Sequence, residues 1–184
     1  MTKFHSRRLP HHYAVGQPIF LTWRLAGSLP ANRCFPAAST SGQAFLAMDL
    51  ILDAARTGPR SLGMPEIASA VVAAIQYRDS RHYQLHSYVV MPNHVHLLVT
   101  PIEDVSKMMQ SLKRFTARQA NEILGQTGQP FWQEESYDRL VRNETEFQRI
   151  ARYIETNPVR AGLASTIEEF PCSSGRADCQ SAAG

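Results

Sequence analysis

The sequence predicts one α+β domain built around an antiparallel sheet, and three features of the chain predict it. Stretches in which apolar and polar residues alternate, typical of strands, are separated by longer stretches with apolar residues at helical spacing. Two strands are joined only by residues 91–93, a connection too short for anything but antiparallel neighbours. A chain of 184 residues, 43% of them hydrophobic, is long enough to bury one core.

Four strands are expected from these patterns. The first is Ile19–Leu25, in which alternate side chains are apolar, and the second is Tyr83–Val90. The third follows the connection at 91–93 and carries two histidines. The fourth is a short edge strand with irregular flanks, assembled from 131–133 and 136–141.

Three helices are expected before the last strand. The first spans 43–56, and the second begins at Pro65, a residue favoured in a first helical turn. We expect these two helices to cover one face of the sheet together. The third spans 105–124, where Asp104 can cap its start and Gly125 can end it.

The two ends of the chain are expected to lie outside the folded domain, which spans 18–163. Residues 1–17 form a basic arm, in which Arg7 and Arg8 either contact phosphates or are solvated without a partner. Residues 164–184 are mostly small and polar, which predicts a disordered tail.

Composition narrows the class of protein. The net charge of +3 and the pI near 8.9 permit a nucleic-acid partner but do not require one. No apolar run approaches the roughly 18 residues of a membrane span, and the basic N-terminus lacks the apolar block of a signal peptide. Three cysteines, an odd number, argue against a disulfide framework. We therefore expect a cytoplasmic protein with no membrane partner.

The histidine pair of the third strand is the first candidate site. Since successive side chains of a strand point to opposite faces, His94 and His96 share one face, while Val95, Leu97 and Val99 share the other. Two imidazoles so placed can bind one metal ion. A His-x-His pair also arises by chance in about one chain in four of this composition, so two structural histidines remain the alternative.

A second candidate feature is a row of positive charges on the third helix. Lys107, Arg114 and Arg118 recur at spacings that place them on one helical face. Such a face is either solvated or follows a phosphodiester backbone.

A fourth helix is expected after the last strand, because Asn143 is followed three residues later by Glu146, as in a capping box. Tyr153 and Asn157 lie four residues apart on this helix and share a face. Pro158 leaves two interpretations open, since Asn157 with a following proline is also typical of a new helical start.

Three motifs, in this order and spacing, resemble those of the REP-associated tyrosine transposases, which belong to the single-tyrosine HUH transposases. They are MPNHVHLLV, SYDRLVRNE and YIETNPVRAGL, and the similarity extends over about residues 7–163. HUH denotes two histidines that flank one hydrophobic residue. The resemblance implies a ferredoxin-like αβ sandwich, in which the sheet carries the HUH strand and the C-terminal helix carries the tyrosine.

The resemblance also implies a chemistry. His94, His96 and Asn157 would bind a divalent metal ion, although some relatives have glutamine at the last position. Tyr153 would be the nucleophile, which leaves a 5′-phosphotyrosine and a free 3′-hydroxyl. The family implies Mg²⁺ or Mn²⁺, whereas imidazole ligands by themselves favour zinc, iron or nickel.

We therefore predict an endonuclease and strand transferase for DNA transposition, acting on single-stranded or hairpin DNA. The DNA would be held by the basic residues Arg7, Arg8, Lys107, Arg114 and Arg118. A monomer is preferred over a dimer. Two alternatives remain: a catalytically silent ferredoxin-like domain that binds nucleic acid, and a metal hydrolase that attacks through water.

Overall fold

The computed structural model describes residues 15–29, 40–55 and 58–175. Its elements, in chain order, are β1 (Ile19–Leu25), α1 (Ser41–Ala54), a short 3₁₀ turn (Ser61–Gly63), α2 (Pro65–Tyr77), β2 (Tyr83–Val90), β3 (His94–Pro101), α3 (Val105–Leu124), β4 (Trp132–Leu140) and α4 (Glu144–Arg160). Among these helices, none is both long enough and apolar enough to cross a membrane.

The four strands form one antiparallel sheet in the order β2-β3-β1-β4. With helices between β1 and β2 and between β3 and β4, this order is that of a ferredoxin-like fold, and the predicted fold class is confirmed. The expected edge position of β4 is correct, although β4 is one strand of nine residues rather than two short pieces. The register between β1 and β3 sets Thr22 opposite His96, so that the two side chains lie next to each other.

Each face of the sheet is covered by a different pair of helices. Val95, Leu97 and Val99 pack against α2 and α3, as the alternation of β3 predicts. On the opposite face, Leu98 packs with Phe45 of α1 and with residues of α4. The expectation that α1 and α2 cover one face together is therefore wrong. Helical periodicity tells which residues of a helix are buried, but not which side of the sheet buries them.

Helix α4 begins and continues in a way that places its tyrosine over the sheet. The Asn143 side chain accepts a hydrogen bond of 2.9 Å from the backbone N–H of Glu146, which caps the helix. The helix then runs through Pro158 to Arg160, so the alternative of a new start at Asn157 is not observed. A proline so near the end of a helix disrupts only its last turn.

The start of the expected tail is folded. Within 164–175, the Cys172 carbonyl accepts a hydrogen bond from Val90 N–H at 2.9 Å, and Ser174 N–H donates to the Tyr88 carbonyl at 3.0 Å. Ser173 is fully buried between them. These residues cover the outer edge of β2, and disorder is thus not observed for 164–175. Residues 1–14, most of the predicted arm, and 176–184 lie outside the described part of the chain.

Candidate metal and tyrosine site

The two histidines of β3 lie side by side on the face covered by α1 and α4. His94 and His96 are fully buried, and their Nε2 atoms are 3.1 Å apart. Hence both Nε2 atoms, which can act as metal ligands, are close enough to bind the same ion.

The other ring nitrogen of each histidine is held by a neighbour. His94 Nδ1 lies 2.7 Å from Asn93 Oδ1, and the Asn93 amide nitrogen donates to the Leu52 carbonyl at 2.9 Å. His96 Nδ1 lies 2.7 Å from Thr22 Oγ1. Since Asn93 Oδ1 can only accept, His94 carries its proton on Nδ1 and its Nε2 is a free lone pair. Burial and the neighbouring His96 lower the pKa of His94 to about 3, so this histidine is neutral at physiological pH.

Asp49 of α1 completes the cluster, and it was not predicted from the sequence. Its Oδ1 lies 3.2 Å from His96 Nε2 and 3.5 Å from His94 Nε2. Burial by itself would raise the pKa of Asp49, but the two histidines and a hydrogen bond from Tyr153 outweigh it and hold the pKa well below its usual range. The carboxylate is therefore ionised. One signal was present in the sequence: Phe45, Asp49 and Leu52 recur at helical spacing, so a charge lies on a buried face of α1.

The three donor atoms fit one metal ion. Ligands at about 2.0–2.2 Å from an ion lie roughly 2.8–3.6 Å apart in octahedral or tetrahedral geometry. The separations here are 3.1, 3.2 and 3.5 Å. Asp49 Oδ1 is buried without a hydrogen-bond donor, and a cation between these lone pairs would satisfy it. Among the described residues, Asp49, His94 and His96 form the cluster of metal-ligand type.

Asn157, the predicted third ligand, borders this cluster. Its Nδ2 lies 3.5 Å from His96 Nε2 and 3.4 Å from Asp49 Oδ2, whereas its buried Oδ1 has no partner. Amide oxygen and nitrogen are exchanged by a rotation of the terminal torsion. In the rotated form Asn157 presents its oxygen to the cluster, as a metal ligand must.

Tyr153 faces the same cluster from α4. Its hydroxyl donates a short hydrogen bond to Asp49 Oδ2, and its ring lies against His96 with centroids 5.7 Å apart. Burial first, and then the charge and hydrogen bond of Asp49, raise the pKa of Tyr153 well above its usual value, while Arg160 acts in the opposite direction. Thus α4 packs over the histidines, and one chain supplies the tyrosine and all the candidate ligands.

The basic residues of α3 are not part of this cluster. Lys107, Arg114 and Arg118 are exposed on a helix that covers the other face of the sheet. Arg7 and Arg8 lie outside the described residues. Two further histidines also have separate partners: His82 contacts Glu103 and His86 contacts Thr100, each at 2.7 Å.

A ferredoxin-like sheet, with an HUH strand beneath a helix that carries a tyrosine, is the arrangement that the resemblance to the single-tyrosine HUH transposases implies. Comparisons with known proteins agree. The family model described as "Transposase IS200 like" matches residues 67–157, a range that contains the two histidines, Tyr153 and Asn157 but not Asp49. The chain is therefore similar to the REP-associated tyrosine transposases, and the resemblance noted in the motifs is confirmed.

The chain is similar to one known protein in sequence and to one solved structure in fold. A REP-associated tyrosine transposase of Escherichia coli (strain K12) is 26% identical over 104 residues, which are 55% of this chain and 59% of that protein. The chain thus matches little more than half the length of that relative. A solved structure of a REP-associated tyrosine transposase bound to a REP hairpin superposes with a TM-score of 0.58. The superposition covers 94% of this chain and 85% of the other at 18% identity, which shows the common fold.

Proposed function

We propose that this protein cuts and rejoins single-stranded or hairpin DNA through a 5′-phosphotyrosine intermediate, with Tyr153 as the nucleophile. The observation that carries the proposal is the position of the Asp49 carboxylate. One of its oxygens contacts the histidine nitrogens and the other accepts the hydrogen bond of the Tyr153 hydroxyl. A nucleophile and a cation site on the same carboxylate are suited to phosphoryl transfer.

The proposed reaction exchanges one ester for another. The Tyr153 oxygen attacks the phosphorus, and a bond forms between them as the bond from phosphorus to the 3′-oxygen of the preceding nucleotide breaks. The tyrosine proton passes to solvent by way of Asp49, which accepts its hydrogen bond, and the leaving 3′-oxygen takes a proton from solvent. Rejoining is the reverse attack by a 3′-hydroxyl, so strand transfer needs no external energy source.

Residues of the cluster have distinct parts in this proposal. His94, His96, Asp49 and Asn157 would hold a divalent cation, for which we propose Mg²⁺ or Mn²⁺. When bound, such a cation supplies positive charge that stabilises the charge developing on the scissile phosphate. Asn93 and Thr22 orient the two rings, because they contact the nitrogens that face away from the cation site.

The substrate class is proposed from the relatives and from charge. The matched transposase structure holds a REP hairpin, and we propose hairpin DNA for this chain as well. Because Lys107, Arg114 and Arg118 lie on the opposite side of the sheet from Tyr153, they would contact DNA that flanks the cleaved strand rather than the scissile phosphate.

The test is covalent capture of a labelled hairpin oligonucleotide in Mg²⁺ or Mn²⁺. We expect wild type to form a denaturation-resistant adduct and Tyr153→Phe to form none. Tyr137→Phe is the matched control, because Tyr137 lies near the site, stacked on Phe45 with ring centroids 4.3 Å apart. An adduct that persists in Tyr153→Phe would overturn the nucleophile assignment.

Chelation and histidine removal separate the proposal from its alternatives. We expect EDTA and His94→Ala to abolish the adduct, whereas His86→Ala, which removes a histidine outside the cluster, should leave it. Hairpin binding without any cleavage, indifferent to EDTA and to His94→Ala, would instead indicate a silent binding domain. Cleavage without a covalent intermediate would indicate a hydrolase that attacks through water.

A further inference from the structure

Arg160, the last residue of α4, lies beside the proposed nucleophile. Its guanidinium carbon is 4.8 Å from the centroid of the Tyr153 ring. The two residues are seven apart, which is close to two helical turns, so they share one face of the helix. The Arg160 side chain is exposed.

The charge of Arg160 acts on two neighbours in the folded protein, because it lowers the pKa of Tyr153 and opposes the rise in the pKa of Asp53. Among the described residues, no carboxylate pairs with Arg160 within 4.0 Å, in contrast to Arg139, which pairs with Glu146 at 2.6 Å. A cation stabilises a neutral tyrosine only weakly, mainly through contact with its ring. The same arginine would stabilise a phosphate near the tyrosine oxygen more strongly, because arginine binds phosphate oxygens in a bidentate manner.

A groove of about 330 Å³ adjoins Arg160. It is lined by Thr156, Val159 and Arg160 of α4 and by the segment 165–168. This volume lies within the range of small-ligand pockets. The folded C-terminal segment therefore forms one wall of a cleft whose other wall carries the arginine.

We propose that Arg160 contacts the scissile phosphate and that this groove receives the nucleotide whose 5′-phosphate is transferred to Tyr153. The inference rests on the proposed function. After the transfer, that nucleotide remains bonded to Tyr153 through its phosphate, so it must lie next to the tyrosine. Arg160 lies against the Tyr153 ring, and the groove begins at Arg160 and at Thr156, about one helical turn after Tyr153, whereas the basic face of α3 lies on the other side of the sheet.

The test compares Arg160→Gln with Arg152→Gln in single-turnover adduct formation on the hairpin oligonucleotide. Arg152 is an exposed arginine next to Tyr153 in sequence, so both variants lose one charge from α4. We expect Arg160→Gln to slow adduct formation about 100-fold, Arg160→Lys to slow it about tenfold, and Arg152→Gln to change it less than about threefold. An Arg160→Gln rate equal to that of wild type would overturn the proposal.

A methylphosphonate at the cleaved position separates phosphate contact from ring orientation. This substitution removes one charged oxygen from the phosphate, so the rates of wild type and Arg160→Gln should converge to within about threefold. If Arg160 only orients the tyrosine ring, the 100-fold difference persists on this substrate, and the proposal is wrong.

A binding measurement tests the contact between Arg160 and a 5′-phosphate even if wild type forms no adduct and the proposed function is wrong. Short single-stranded oligonucleotides with a 5′-phosphate or a 5′-hydroxyl are titrated onto Tyr153→Phe, with and without Arg160→Gln. We expect a preference of about tenfold for the 5′-phosphate that Arg160→Gln removes. A preference that survives Arg160→Gln, or none at all, overturns the assignment.

Discussion

The hydroxyl of Tyr153 donates a hydrogen bond to the carboxylate of Asp49, which lies 104 residues earlier in the chain. The other oxygen of that carboxylate is 3.2 Å from His96 Nε2. Because one carboxylate contacts both groups, a change at the proposed metal site reaches the proposed nucleophile directly. This relationship connects α1, β3 and α4.

Asp49→Asn preserves the size of the side chain but removes its charge. We expect the affinity for Mn²⁺, measured by calorimetry, to fall at least tenfold, because an anionic ligand is replaced by a neutral one. Asp53→Asn is the control, since Asp53 Oδ1 is farther away, at 3.8 Å from His94 Nε2. Equal losses in the two variants would show that overall negative charge, rather than the position of Asp49, determines metal binding.

Asn157→Leu is expected to weaken metal binding with little effect on folding. The buried Oδ1 of Asn157 has no hydrogen-bond partner. In EDTA, an apolar side chain of similar size should therefore lower the free energy of unfolding by less than about 1 kcal/mol, or raise it. The affinity for Mn²⁺ should fall about tenfold. A large loss of stability in urea denaturation, with unchanged affinity, would mean that the amide is structural.

The pH dependence of stability should reveal Asp53. Burial and the neighbouring Asp49 raise the pKa of Asp53 to about 7, from 3.8 in an unconstrained chain. Well below pH 3.8 this carboxyl is protonated in both the folded and the unfolded states. As the pH rises from 4 to 7, the unfolded state loses the proton first, so wild type is progressively destabilised.

Asp53→Asn does not titrate, and in EDTA we expect it to be more stable than wild type by about 2 kcal/mol above pH 7. Near pH 4 the free energies of unfolding of the two proteins should differ by less than about 1 kcal/mol. Urea denaturation at pH 4, 5.5 and 8 measures this difference. A difference that does not grow with pH would show that the pKa of Asp53 is not raised.

The C-terminal segment should stabilise the edge of the sheet. A chain that ends after residue 170 loses the hydrogen bond that the Cys172 carbonyl accepts from β2 and the one that Ser174 N–H donates to β2, whereas a chain that ends after residue 175 keeps both. We expect the shorter chain to lose about 1–3 kcal/mol of unfolding free energy and to self-associate through the exposed edge. Urea denaturation and light scattering measure the two effects, and equal behaviour of both truncations would contradict the prediction.

Local features of the sequence determined most of the secondary structure. The bounds of β1, β2 and α3 follow from alternation, helical spacing and the Asp104 and Gly125 caps, and these agree with the structure. The same reasoning placed His94 and His96 on one face of β3. Such features depend on interactions between residues a few positions apart, so they can be recognised without knowing the fold.

Only the tertiary structure decided which distant residues meet. It placed α1 on the histidine face, brought Asp49 to the histidines and to Tyr153, and folded residues 164–175 against β2. Periodicity identifies a buried face but not the partner that buries it, and a short polar segment carries no apolar pattern that would reveal its contacts. The choice among such contacts is made by packing and by the pairing of buried polar groups, which involve residues far apart in the chain.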